Sequence, residues 1–123
     1  MIAALAPEEV DHRLADAFNA RDLEAIVALY EPGATFIVQP GQSVTGQSAI
    51  RAAVQGLLAL KPDLRLEVTR VLQAGDVVLL SSKWTLSGTG PDGKPVLMSG
   101  NGVEVVRRQP DGTWRYVIDN PWG

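Results

Sequence analysis

Asp119 is the carboxylate that this sequence places best for chemistry. It lies in the segment WRYVIDNPWG (114–123), whose alternation puts it on the same strand face as Val117. If that face is buried, desolvation raises the pKa of the carboxyl and favours a general acid or base near neutral pH. In the alternative, structural role it accepts hydrogen bonds from backbone N–H groups or Asn120, or caps the turn into Pro121. Asp119 is therefore predicted to be a pocket acid or base, with that alternative left open.

Asn101 is the second candidate, and it lies between two glycines in the segment GNG (100–102). Glycines let a ligand approach the backbone closely, so Asn101 is a candidate hydrogen-bond donor to a carbonyl oxygen or an oxyanion. The alternative is a β-bulge, in which asparagine tolerates unusual backbone angles. Ser82, two residues before Trp84, is open to both interpretations in the same way.

Other kinds of site are excluded by residue type or position. The chain has no cysteine, and His12 is its one histidine, on the helix face of Glu8 and Asp16. This composition excludes thiolate chemistry and disulfides and leaves few ligands for zinc, so we predict no metal and no cofactor. The segment GTGPDGKP (88–95) does not lead from a strand into a helix, and it predicts a hairpin turn instead of a phosphate-binding loop.

Length and charge predict a single domain, residues 1–123. The chain is 46% hydrophobic and 20% charged, with a formal net charge of −3, which is typical of a globular protein. It has no basic stripe, so neither nucleic acid nor an anionic membrane is a predicted partner. The opening MIAALAPEEV has no basic region and only a short apolar run. It predicts no signal peptide and no membrane span, and hence a cytoplasmic location.

The first half of the chain carries helix signals. A first helix opens at Pro7 and carries apolar residues at helical spacing as far as Phe18. Asp22 is a predicted cap for a second helix, Leu23 to Tyr30, and a third helix runs from about Gln47 to Leu60.

The second half alternates as strands do, with short turns that indicate an antiparallel meander. The predicted strands are Leu64–Leu72, Val77–Gly88, Val96–Arg108 and Trp114–Asp119, preceded by a shorter one at ATFIV (34–38). Strands this long must bend in so small a domain, and Gly100 and Gly102 are the predicted bulge positions. The fold class is α+β, with the helices on one face of a strongly bent antiparallel sheet that leaves an open cone.

The order of elements resembles a known family. The segments FNARDLEAIVALYEPGATFIV (18–38), GQSAIRAAV (46–54) and VEVVRRQPDGTWRYVIDNPWG (103–123) are similar to the nuclear transport factor 2-like superfamily. They resemble in particular its SnoaL-like and ketosteroid-isomerase-like branch, from about Val10 to Trp122. The resemblance implies a cone-shaped, cystatin-like fold with three N-terminal helices. This scaffold hosts isomerases, cyclases, dehydratases, epoxide hydrolases and plain binding domains.

The catalytic residues of ketosteroid isomerase are not present at the matching positions of this sequence. That enzyme uses an aspartate base, an oxyanion tyrosine and a protonated acid. The matching positions here hold Val38 or Gln39 for the base, Leu14 for the tyrosine and Asn101 for the acid. Steroid isomerisation by that mechanism is therefore not predicted. Tyr30 does match a pocket tyrosine of the family.

The same placement predicts which side chains face the cone. Asp119 and Asn101 are the predicted catalytic residues, and the predicted ligand-binding residues are Phe18, Tyr30, Leu57, Leu80, Ser82, Trp84, Val103, Val117 and Trp122. The hypothesis is a cofactor-independent isomerase, cyclase or dehydratase that acts on a small apolar carbonyl compound. The alternatives are a ligand-binding domain without chemistry and a dimerisation module whose cone is filled by side chains.

A homodimer is the predicted assembly. Trp114, Tyr116 and Ile118 alternate on the strand face opposite to the one assigned to Asp119. In the family that the chain resembles, the outer face of the sheet commonly packs against a second subunit. Two aromatic residues and an isoleucine suit such an interface.

Overall fold

The computed structural model describes residues 4–123, so the first three residues of the opening MIAALAPEEV lie outside it. Within that range the chain forms three helices, α1 (Glu9–Asn19), α2 (Leu23–Val27) and α3 (Gln47–Leu58). The strands are β1 (Tyr30–Gln39), β2 (Gln42–Thr45), β3 (Asp63–Ala74), β4 (Val77–Thr89), β5 (Pro95–Arg108) and β6 (Trp114–Asn120). No helix in the described range has the length and hydropathy needed to cross a membrane.

The strands form one sheet in the order β2-β1-β6-β5-β4-β3. The meander from β3 to β6 is antiparallel, as the sequence predicted, and the α+β class is confirmed. The prediction of a wholly antiparallel sheet was wrong, because β1 pairs with β6 in parallel. Strand β2 was not predicted, since its sequence QSVT has almost no apolar alternation.

Helix α2 is shorter than its sequence pattern predicted. Asp22 caps it as expected, with its carboxylate accepting a hydrogen bond from the Ala25 backbone N–H at 3.0 Å. The helix ends at Val27, and Tyr30 begins β1 instead of ending the helix. Pairing with the last strand accounts for the difference, because the Tyr116 N–H donates to the Leu29 carbonyl at 2.7 Å.

A β-bulge in β6 changes which side chains face the core. Val105 pairs with Ile118 and Val106 pairs with Tyr116, so Val117 is the extra residue on β6. Asp119 therefore shares the inner face with Tyr116, and not with Val117 as the alternation predicted.

The bulge also overturns the predicted outer face. Trp114 and Tyr116 were assigned to it, but they are 6% and 0% exposed and belong to the core. Of that trio, Ile118 alone lies outside, with 41% of its surface exposed.

The bulge predicted at Gly100 and Gly102 was wrong, because β4 and β5 pair without a register shift. Both positions require glycine because a side chain there would overlap neighbouring atoms. A Cβ atom on Gly102 would lie 2.7 Å from oxygen atoms of Glu104 and Ser82, and one on Gly100 would lie 3.1 Å from the Trp84 indole nitrogen. Glycine here lets buried side chains cross the inner face of the sheet.

Gly88 provides a stability test of the contact between β4 and the chain after α3. A Cβ atom at Gly88 would lie 2.6 Å from the Leu60 carbonyl oxygen, which also accepts the Thr89 N–H. We expect Gly88→Ala to lower the free energy of unfolding by about 1–3 kcal/mol, because backbone atoms must move apart. The control is Gly56→Ala within α3, where nothing lies within 4 Å. It should gain about 0.5–1 kcal/mol. Equal urea midpoints for the two variants would contradict this account.

Candidate functional site

A cavity of about 80 Å³ lies between α1 and the inner face of the sheet. Its walls are mostly apolar. The predicted cone residues that line it are Phe18, Tyr30, Leu57, Ser82, Trp84, Asp119 and Trp122. Leu80 also points inward but is fully buried in the core instead of lining the cavity. The structure thus brings most of the predicted pocket residues together.

Three predicted residues lie elsewhere. Asn101 is exposed opposite Lys83, and Val103 is half-buried on the outer side of β5. The inner face of β5 instead carries Gly102 and Glu104, which are both buried. Val117 is the extra residue of the β6 bulge. The predicted placement of Asn101, Val103 and Val117 in the cone was therefore wrong, by one residue of strand register.

Among the cavity residues that the sequence did not predict are two acids, Asp11 and Glu104. Asp11 is 0% exposed and Glu104 is 2% exposed. Asp11 lies at helical spacing from Leu14 and Phe18, which also line the cavity. That spacing, and the inward alternation of Glu104, were the signals available in the sequence.

Asp119 lies at the cavity wall with a single hydrogen bond to a described side chain. The Tyr30 hydroxyl donates to its Oδ2 at 2.5 Å. Burial raises the pKa of Asp119 to about 7, the bond from Tyr30 acts to lower it, and the negative charge of Asp11 raises it further. Asn120 holds the following turn, since its side-chain oxygen accepts the Trp122 N–H at 3.2 Å. Asp119 is thus a buried carboxyl that titrates near neutral pH.

Glu104 and Asp11 form a second acidic pair. Ser82 Oγ donates to Glu104 Oε2 at 3.0 Å, and the Tyr116 hydroxyl donates to Asp11 Oδ1. The remaining oxygens, Glu104 Oε1 and Asp11 Oδ2, are buried without another partner in the described residues. Burial and the neighbouring acidic groups of Asp11 and Asp119 raise the pKa of Glu104 far above 4.5, against the lowering effect of the hydrogen bond from Ser82.

Glu104 and Asp119 are neighbours on the inner face, directly opposite each other on β5 and β6. Such cross-strand partners have Cβ atoms about 4.5–5.5 Å apart. One carboxyl is held neutral, and the other changes charge near pH 7. Two acids whose pKa values are pushed apart in this way can divide the roles of hydrogen-bond donor and base.

The last residues of the chain close one side of the cavity. The Trp84 indole N–H donates to the Pro121 carbonyl at 2.7 Å, and the Trp122 indole N–H donates to the Val38 carbonyl at 3.0 Å. The two indole rings meet edge to face with centroids 5.3 Å apart. Across residues 4–123, no group of three or more His, Cys, Asp and Glu side chains is arranged to hold a metal ion.

The hydrogen bond from Tyr30 gives a direct test of the Asp119 environment. We expect Tyr30→Phe to raise the Asp119 pKa above its value of about 7, because that bond stabilises the carboxylate. Tyr116→Phe is the matched control, since its hydroxyl donates to Asp11 instead. Carbon-detected NMR titration of the carboxyl carbons measures both. An unchanged or lower Asp119 pKa in Tyr30→Phe would contradict the assignment of this bond.

Comparison with known families gives a match over most of the chain. The sequence model of the SnoaL-like domain matches residues 12–117. A search of curated proteins finds no match.

Solved structures share the fold at low sequence identity. A ketosteroid isomerase-like protein from Erwinia carotovora atroseptica SCRI1043 is 19% identical with a TM-score of 0.80, covering 91% of this chain and 88% of that one. A proposed dehydratase of the nuclear transport factor 2-like family from Streptomyces avermitilis is 16% identical with a TM-score of 0.76, covering 91% and 89%. A nuclear transport factor 2-like protein with a cystatin-like fold from Novosphingobium aromaticivorans is 20% identical with a TM-score of 0.74, covering 90% and 75%. At these identities the likeness establishes the fold alone.

Proposed function

The chain belongs to the SnoaL-like domain family, within the nuclear transport factor 2-like superfamily, and we propose that it is an acid–base enzyme of the isomerase, cyclase or dehydratase kind. Its substrate in this proposal is a small, mostly apolar carbonyl compound. The observation that carries the proposal is the pair of buried carboxyls, Asp119 and Glu104, on one wall of an apolar cavity. Two structures similar to this chain, one called isomerase-like and one a proposed dehydratase, carry names of the same class of chemistry.

The proposed step is a proton transfer at the carbon next to the substrate carbonyl. Asp119, as the carboxylate, takes that proton, and the C–H bonding electrons move into the enolate. The neutral Glu104 carboxyl hydrogen-bonds the carbonyl oxygen, on which the negative charge develops. Asp119 then returns its proton to the same carbon or to another one. The cycle leaves the protein unchanged and uses side chains of the protein alone.

The volume of the cavity supports a small substrate. Pockets for drug-sized ligands hold about 300–1,000 Å³, whereas this cavity holds about 80 Å³. A fused-ring steroid exceeds that space. In the proposal the sheet curls around the substrate as the cone of the family, with Trp84 and Trp122 at its closed side.

Hydrogen exchange tests the proposal without knowledge of the natural substrate. Butanone and acetoin are incubated with the folded protein in deuterium oxide, and loss of the signals of the protons next to the carbonyl is followed by NMR. We expect exchange that is faster than with heat-denatured protein and that rises with pH through the Asp119 pKa, which is about 7. Binding of both probes without any accelerated exchange would replace the enzyme with a binding domain.

We also propose a homodimer through the outer face of the sheet, with a corrected set of residues. Leu79, Val105 and Ile118 lie side by side across β4, β5 and β6. This apolar row is at the surface, and Ile118 is 41% exposed. A second copy would cover it.

Sedimentation tests the dimer. At micromolar concentration the protein should sediment at about twice the chain mass of 13.2 kDa. Ile118→Glu should give the monomer, because it places a charge within the apolar row. Leu97→Glu, at a residue that is 76% exposed near the start of β5, should leave the dimer intact. A wild-type monomer would refute this interface.

A further inference from the structure

The four side-chain N–H and O–H donors that line the cavity are already engaged with the protein. Tyr30 donates to Asp119 and Ser82 donates to Glu104. The indole N–H groups of Trp84 and Trp122 donate to backbone carbonyls. Of the side chains that line the cavity, the only further source of a donated hydrogen is the Glu104 carboxyl, which its raised pKa keeps neutral. A ligand therefore meets one donor, on Glu104.

The acceptors of the cavity are less fully used. Asp119 is 5% exposed and lines the cavity, and its Oδ2 accepts from Tyr30. Its Oδ1 has no partner in the described residues. Because Asp119 lines the cavity and its Oδ1 is free to accept, a ligand that donates a hydrogen bond to Oδ1 gains affinity.

The charge of the lining limits the ligand further. Three acids line the cavity, Asp11, Glu104 and Asp119, and its described lining contains no Lys, Arg or His. An anionic ligand would lose its hydration and meet like charges with no cation to offset them. Carboxylates and phosphates are therefore poor ligands for this cavity.

We propose that the substrate class is a small uncharged hydroxy-carbonyl compound, with its carbonyl oxygen at Glu104 and its hydroxyl group donating to Asp119 Oδ1. The carbonyl end of this assignment rests on the proposed function. The hydroxyl end rests on the hydrogen bonds of the cavity, in which all four lining donors are engaged and Asp119 keeps a free acceptor. The apolar walls contact the remaining carbon atoms of the substrate.

Four small probes of similar size separate these features. Acetoin carries both groups, butanone lacks the hydroxyl, sec-butanol lacks the carbonyl, and lactate adds a negative charge. Binding is measured by NMR shift titration at about pH 8, above the Asp119 pKa of about 7. We expect acetoin to bind most tightly and butanone to bind about tenfold more weakly or worse, the loss expected for one hydrogen bond to a buried carboxylate. Lactate should not bind.

Variants assign the preference to Asp119. In Asp119→Asn the advantage of acetoin over butanone should shrink, because a neutral amide oxygen is a weaker acceptor. Asp63→Asn, at an exposed carboxylate, should keep the wild-type advantage. Butanone that binds as tightly as acetoin, or lactate that binds as tightly as either, would overturn the substrate class.

The binding titrations test the ligand class, and the hydrogen exchange tests the proposed function, so the two proposals can be refuted separately. A hydroxyl preference without any hydrogen exchange would refute the proposed function and leave the ligand class standing. If butanone bound as tightly as acetoin and exchanged its protons as fast, the ligand class would be refuted and the proposed function would stand.

Discussion

Asp119→Asn is expected to stabilise the protein at alkaline pH relative to wild type, and not at acidic pH. The folded protein holds the Asp119 pKa at about 7, against 3.8 for an ordinary aspartate. The neutral acid is therefore the form that favours folding. This contribution is complete below pH 3.8 and is lost as the pH rises through about 7. Three pKa units correspond to about 4 kcal/mol. The pKa of Glu104 is also raised, so Glu104 makes the free energy of unfolding fall with rising pH in both the wild type and the variant.

Urea unfolding at about pH 4 and about pH 8 measures this difference. The free energy of unfolding of Asp119→Asn minus that of wild type should become more positive between the two pH values, by up to about 4 kcal/mol. Asp63→Asn controls for the loss of one negative charge at an exposed position. A difference for Asp119→Asn that is the same at both pH values would mean that the folded protein does not hold this carboxyl neutral.

Asp119→Asn is expected to slow the hydrogen exchange of a carbonyl probe by about 10²–10⁴-fold, the usual contribution of a positioned general base. Glu104→Gln should slow it less, because the glutamine amide still donates a hydrogen bond to the carbonyl oxygen. Glu104→Ala removes the donor and should cost about 10²–10³-fold, as loss of an oxyanion donor does. The order of these three effects distinguishes a base from an oxygen-binding acid.

The rates are compared at saturating probe, so that altered binding does not enter. Asp63→Asn should exchange the probe at the wild-type rate, since its carboxylate is exposed outside the cavity. If Glu104→Gln were slower than Asp119→Asn, the two carboxyls would have the opposite roles. If neither variant changed the rate, the exchange would arise outside this cavity.

These two predictions concern one residue and give opposite signs for stability and activity. Burial of an ionisable group without a cation lowers the free energy of unfolding at the pH where the group is charged. A residue retained under that cost is typical of a functional position, and removal of its charge stabilises the fold at the expense of activity. If Asp119 were purely structural and accepted backbone hydrogen bonds at the strand end, the same substitution would destabilise the protein. The observed partner is the Tyr30 hydroxyl instead.

The sequence alone determined the class of fold and the meander of β3 to β6. Those strands alternate over many residues and are joined by short turns, and both signals are local. The Asp22 cap is local as well and was predicted correctly. Helix α2 and strand β1 were divided wrongly at Tyr30, because pairing of its strand with β6 overrode a local helical pattern.

The local sequence pattern did not predict correctly which strand face each site residue occupies. Alternation placed Asp119 inside, which is where it lies, but through a shared face with Val117 that the β6 bulge removes. The same reasoning chose Asn101 over Glu104, which is three residues further along β5 and on the opposite face. A one-residue change of register turns every side chain to the other face, and nothing local in NGVEV states which register is used.

Tertiary structure alone decided that the cavity contains three acids. Asp11 comes from α1, Glu104 from β5 and Asp119 from β6. The sequence singled out Asp119 alone, and only the shared burial of these acids raises the pKa of Glu104 and Asp119. Desolvation and charge repulsion depend on distances across the fold, which no spacing along the chain encodes.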